Sequence, residues 1–176
     1  HDTARRGSRC HCRTGNGKTA VRAARTPDLL MNNSAAKDGG IFMTIALIAH
    51  DAKKELMVQF CMAYRHILEQ HRLLATGTTG RLVEENAGLK VTKFLPGGHG
   101  GAEQIVARIA CEEVDMLLFF RDPISAKPNE PNEMNLLRIC DVHNIPVATN
   151  IATAEVLIHG LEHGDLDWRT IINPQH

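Results

Sequence analysis

The 176-residue chain lacks a net charge: 20 Lys and Arg stand against 20 Asp and Glu. That balance excludes a general electrostatic pull toward nucleic acid or an anionic membrane. It also lacks any apolar run approaching the roughly eighteen residues that a membrane-spanning helix needs. A complete P-loop is missing too. The run GNGKT at 15–19 resembles the end of one, but the pattern requires glycine five positions before Gly17, where Cys12 stands. Cysteines number five. Cys10, His11 and Cys12, with His1, offer zinc-ligand chemistry, yet no second pair at ligand spacing follows, so no metal is expected. Cys61, Cys111 and Cys140 fall in predicted helices and read as small buried apolar residues of a reducing compartment.

What is present divides unevenly. Residues 1–42 carry eight Lys or Arg and three Asp or Glu, a net of +5, and residues 43–176 carry a net of −5. The first piece has few apolar residues and no period of 2 or 3.6, so it is expected to be disordered. It reads as an Arg-rich targeting segment, an extension that docks on a partner, or upstream sequence foreign to the natural product; the last is favoured because Met43 opens a clean strand. The second piece, 43–176, is long enough for one domain with a sizeable core.

From Met43 onward, short aliphatic runs alternate with longer helical patterns. Strands are predicted at 44–49, 72–76, 90–95, 115–120 and 146–149, the first, fourth and fifth being apolar on both faces as buried parallel strands are. Helices fit between them at about 52–70, 79–88, 101–113, 132–144 and 153–162. The alternation predicts an α/β three-layer sandwich around a five-stranded parallel sheet with right-handed crossovers. A ligand belongs at the carboxyl ends of such strands.

The unusual residues gather at those ends. His50 and Asp51 follow the first strand, with Lys54 one helical turn on. Thr76, Gly77, Thr78 and Thr79 follow the second, PGGHGG at 96–101 the third, and Arg121, Asp122 and Pro123 the fourth. The threonine loop offers close approach at its glycines, hydroxyl donors, and a helix start near Thr79 whose N–H groups favour an anion. With Lys54 and His50 beside it, this reads as a phosphate pocket. The bland alternative is that Thr78 or Thr79 merely caps the helix.

The stretches IALIAHDAKK, LLATGTTGRLVEE, LLFFRDP and AKPNEPNEMNLLRICDVHNIPVATNIATAE, in this order and spacing over about residues 44–160, closely resemble the methylglyoxal synthase family. The resemblance implies a five-stranded α/β sandwich, a cytoplasmic homohexamer without metal or other cofactor, and conversion of dihydroxyacetone phosphate to methylglyoxal and inorganic phosphate. Its phosphate site falls on His50, Lys54, Thr76, Gly77, Thr78, Thr79 and Gly97, and Asp51 and Gly98, at the same strand ends, are added to the candidate binding residues. No nucleic-acid or membrane partner is implied.

The chemistry so implied is proton abstraction beside a carbonyl to an enediolate, followed by loss of phosphate, and it needs a positioned base, donors for the developing oxyanion and a dry pocket. The family's loop after the third strand reads Gly-Gly-Asp, with Asp as base; here the Asp position is Ala102. A second motif, Pro-His-Asp/Glu-Pro-Asp, is PNEPN here, which puts Asn129 and Asn132 in the places of its His and Asp. Asn still donates hydrogen bonds but shuttles no proton at neutral pH. Loss of a base alone costs about 10² to 10⁴ in rate. Glu103, His99 and Asp122 are the candidate replacements, and Arg169 is the one candidate for an Arg that the family brings to its pocket from near its C-terminus. The alternative function is a phosphorylated-metabolite binding domain without turnover.

Overall fold

In a computed structural model of the chain, residues 42–124 and 133–169 are described. The expectation for residues 1–42 lies, Phe42 apart, outside them, and so does the Cys10–Cys12 cluster. The five strands are β1 Thr44–Ala49, β2 Arg72–Ala75, β3 Val91–Lys93, β4 Met116–Phe120 and β5 Val147–Ala148, all paired parallel in the order β3-β2-β1-β4-β5. Every residue of β1 and β4 is buried, which matches the apolar run that fills each after Thr44: both faces of a central parallel strand are covered by helices.

Two cores result from the pleat. Ile45, Leu47 and Ala49 point with Met116, Leu118 and Phe120 to one side, where Met57, Phe60, Val83 and Ile158 pack on them. Ala46 and Ile48 point with Leu117 and Phe119 to the other, under Ala102, Ile105, Ile109 and Leu136. The first side is therefore covered by α1 (Lys54–Ala63), α3 (Gly77–Ala87) and α6 (Ile151–Glu162), and the second by α4 (Gly101–Ala110) and α5 (Glu133–Val142). Phe60, Phe119 and Phe120 are the largest fully buried side chains, each contributing on the order of 2 to 3 kcal/mol by its burial.

Three local departures from the sequence reading have physical reasons. The helix expected over 52–70 is a 3₁₀ turn at Asp51–Lys53, then α1, then a short α2 at Arg65–Leu68, with a break at Tyr64 (φ −104°, ψ 24°). No Gly or Pro marks that break; the Tyr64 ring packs on Phe60 and on His159 of α6, so tertiary contact sets it. Next, α3 begins at Gly77, two residues before the expected start, so the glycine and threonines stand on the helix itself. Cys111 ends α4 in an exposed position, unlike the buried Cys61 and Cys140, whose thiols burial pushes up to about 12.

The sequence of strands doubles back once. It runs outward through β2 and β3 on one side of β1 and resumes with β4 on the other, so the switch point lies between β1 and β4. A crevice at their carboxyl ends is where an open parallel sheet accepts a ligand.

Candidate functional site

His50 and Asp122 meet across that switch point. The His50 N–H donates to the Phe120 carbonyl at 3.0 Å, which carries the β1–β4 ladder one residue further. The Asp122 N–H donates to His50 Nδ1 at 2.9 Å. A ring nitrogen that accepts a backbone N–H is unprotonated, so the neutral imidazole carries its proton on Nε2 and presents a donor there. The ring is buried and stands edge-on to Phe119, with centroids 5.1 Å apart. Position and tautomer are thus both set by backbone and core.

Lys54 opens α1, and its Nζ donates to Asp51 Oδ1 at 2.5 Å. The pair spans one turn and holds the ammonium at the rim beside His50. An exposed pair of this kind contributes little stability, so its value is in position.

Beside it lies the start of α3. Thr76 stands at the N-cap in extended conformation and makes no capping bond with its side chain; its Oγ1 is 3.3 Å from Thr79 Oγ1. The alternative in which Thr78 or Thr79 caps the helix is therefore corrected: both lie inside its first turn. The Gly77 N–H is taken by the Leu95 carbonyl at 3.0 Å, and Gly80 N–H by Thr76 O. First-turn N–H groups of Thr78 and Thr79 have no intrahelical partner by geometry, and an anion is what suits them. Gly77 is required by space: a Cβ there would lie 2.7 Å from the Phe94 carbonyl oxygen.

The loop after β3 is held against this turn. Pro96 O accepts from both His99 N–H (2.9 Å) and Gly101 N–H (3.2 Å), closing a 3₁₀ turn at Gly97–His99, and Leu95 N–H donates to Gln104 Oε1 at 2.9 Å. Gly100 follows in the left-handed region (φ 93°). Gly97 is half-buried, while Gly98 and His99 are exposed. Ala102 faces the core and is buried, and Glu103, one residue on, is exposed in the first turn of α4. Asp122, half-buried, accepts from Ile124 N–H at 3.1 Å, an Asx turn ahead of Pro123. Asn129 and Asn132 lie outside the described residues.

Of the expected site residues, then, His50, Asp51, Lys54 and Asp122 come together at the β1–β4 ends, and Thr76–Thr79 lie against the Leu95–Gly97 loop. Arg169 does not join them. It is buried at the opposite, amino edge of the sheet, with Nε 3.7 Å from Asp115 Oδ1 and Nη1 on the Asn144 carbonyl. Asp115 Oδ2 in turn accepts from Thr44 N–H at 2.9 Å. Arg169, the one candidate for a pocket Arg from near the C-terminus, is instead paired with a buried carboxylate that precedes β4. Sequence reasoning also missed the Asp122 N–H that fixes His50, since a backbone donor leaves no mark on residue identity. Among the described residues no group of three or more His, Cys, Asp or Glu is arranged to hold a metal, and no helix is long and apolar enough to cross a membrane.

A five-stranded parallel sheet with a His, a Lys and a helix start at its carboxyl rim defines an α/β protein whose rim carries groups of the kind that suit a small anion. Residues 56–149 match the model of the MGS-like domain family. The chain is 62% identical over 133 residues to methylglyoxal synthase of Caldicellulosiruptor saccharolyticus, covering 76% of this chain and 94% of the relative. It is 58% identical over 130 residues to that of Thermoanaerobacterium thermosaccharolyticum, covering 74% and 97%. The crystal structure of methylglyoxal synthase from Elizabethkingia anophelis NUHP1 aligns with a TM-score of 0.65 at 39% identity, covering 66% of this chain and 77% of that one. The chain belongs to the methylglyoxal synthase family.

Proposed function

We propose that the chain is a lyase converting dihydroxyacetone phosphate to methylglyoxal and inorganic phosphate, acting in the cytoplasm as a homohexamer without a cofactor. The observation that supports this reading is the grouping of Lys54 and the first turn of α3 at one rim, with His50 held as an Nε2–H donor beside them, which would serve as a phosphate cradle. Gly97 and Gly98, in the facing loop, add backbone donors to the phosphate. His50 Nε2–H serves a developing enediolate oxygen, as a preorganised donor should. Exposed Met134, Val142 and Val156 supply apolar surface for subunit contact, and light scattering on the eluting species tests the hexamer.

The proton step falls to a carboxylate other than the family's. Ala102 occupies the base position with a buried methyl group. Glu103 is turned about 100° away on the helix and is exposed, so it does not simply substitute. Asp122 is next to His50 at the switch point and is the base in this reading, its carboxylate removing the proton beside the carbonyl before phosphate leaves. Asn129 and Asn132 retain hydrogen-bonding capacity toward the substrate in place of proton transfer.

Ala102 also favours a second reading, a phosphate-binding domain without turnover. Methylglyoxal formation measured on the full chain, Asp122→Asn, Glu103→Gln and Ala102→Asp separates them. Asp122→Asn is expected to lose about 10² or more in rate while Glu103→Gln does not. A silent parent that still binds inorganic phosphate, with activity appearing in Ala102→Asp, establishes the second reading instead.

A further inference from the structure

A second pocket lies on the same edge of the sheet, between the starts of α1 and α6, with a cavity volume of about 340 Å³. It shares no residue with the phosphate cradle: consecutive residues part company, Lys54 and Asp122 to the cradle, Lys53 and Arg121 to this pocket. Its size is at the lower end of small-molecule sites.

Its chemistry is one-sided. Leu56, Ile151 and the buried Phe120 form an apolar floor. Lys53 and Arg121 bring cations from two separate elements, and none of the lining residues is acidic. Lys53 has no carboxylate within ion-pair distance among the described residues, in contrast to Lys54, which Asp51 holds. Asn150 spends its Oδ1 on the Thr153 N–H at 3.0 Å, which leaves its NH₂ as the donor end of the side chain. Thr149 adds a hydroxyl. An apolar floor under two cations and amide donors suits one class of ligand: a compact organic oxyanion with an apolar body.

From this arrangement we infer that the α1–α6 pocket is a second binding site, for an organic anion that carries its oxyanion head toward Lys53, Arg121 and Asn150 and its body over Phe120. The pocket stands whether or not the cradle turns substrate over. A carboxylate and a phosphate monoester share the required head-group chemistry.

Fluorine NMR of the full chain with 4-fluorobenzoate and, separately, 4-fluorophenyl phosphate tests the inference and tells the two heads apart. Saturable binding of at least one probe is expected, weakened roughly tenfold in the double variant Lys53→Gln/Arg121→Gln, a modest loss for two partly exposed cations. It is expected to persist in Lys54→Met, which acts at the cradle. A stronger response to the benzoate assigns a carboxylate ligand, and a stronger response to the phenyl phosphate a phosphate monoester. Absence of saturable binding to the folded chain overturns the inference, as does unchanged binding in a folded double variant or loss of binding in Lys54→Met. Should the double variant lose its native circular dichroism spectrum, Ile151→Phe, which fills the apolar end, takes its place and must abolish binding.

Discussion

Gly101 is where the geometry makes its sharpest demand. Its φ is not in the left-handed region, so the constraint is space alone: a Cβ built on it falls 1.7 Å from the Leu95 carbonyl oxygen. Real Cβ contacts stay beyond 3.0 Å, so Gly101→Ala must drive the strand-end loop and α4 apart by about 1.3 Å. That carbonyl is not idle. It accepts the Gly77 N–H at 3.0 Å, and the Leu95 N–H donates to Gln104 Oε1, so displacement disturbs two hydrogen bonds and moves the loop from the threonine turn. Two such bonds contribute about 1 kcal/mol each, and overpacking in a closely packed region costs a further 1 to 3, for a total of about 3 to 5 kcal/mol. Gly100→Ala is the internal control. Gly100 has φ 93° and open space around its would-be Cβ, so the cost is backbone strain of about 1 to 2 kcal/mol and the loop contacts stay. Urea denaturation reads the difference: with slopes of about 1 to 3 kcal/mol per molar, Gly101→Ala lowers the midpoint by more than 1 M and Gly100→Ala by clearly less. Calorimetric titration with inorganic phosphate shows binding lost in the first variant and kept in the second. An unchanged midpoint and normal phosphate binding in Gly101→Ala refute the packing of these two loops.

Further outcomes follow from single residues. Arg169→Met leaves the buried Asp115 carboxylate without its ion partner and is expected to destabilise by about 3 to 5 kcal/mol, whereas adding Asp115→Asn recovers part of the loss; thermal melts of the single and double variants check this. His71 is held below its ordinary pKa by burial, an effect that nearby Asp115 partly opposes. The unfolded chain therefore takes up this proton first as pH falls, so stability is full above about pH 6.5 and declines below it; His71→Gln flattens that limb of the stability curve. Lys54→Met is expected to abolish phosphate binding with little change in melting temperature, because the ion pair it removes is partly exposed.

Much of the architecture was legible from residue type alone. β1 after Thr44 and β4 are continuous apolar runs because helices cover both their faces, and the alternation with helical patterns left little choice but a parallel sheet. The strand ends drew attention for the same reason: polar residues such as His50 and Arg121 directly follow the apolar runs 45–49 and 116–120. Other features depend on contacts between distant segments. The break at Tyr64 arises from rings on α1 and α6, and the burial of Arg169 from a carboxylate 54 residues earlier in the chain. The Asp122 amide that orients His50 is a main-chain group, invisible to any pattern of side chains. The α1–α6 pocket was equally hidden, since Lys53, Arg121 and Asn150 come from three separate loops that only the sheet order brings together.

The most direct test of the central claim is product stoichiometry. The full chain, incubated with dihydroxyacetone phosphate, is expected to release methylglyoxal and inorganic phosphate in equal amounts above the uncatalysed background. Neither product above background, from a folded chain whose melting temperature still rises with inorganic phosphate, contradicts the lyase reading and leaves a pocket that binds the anion without performing the elimination.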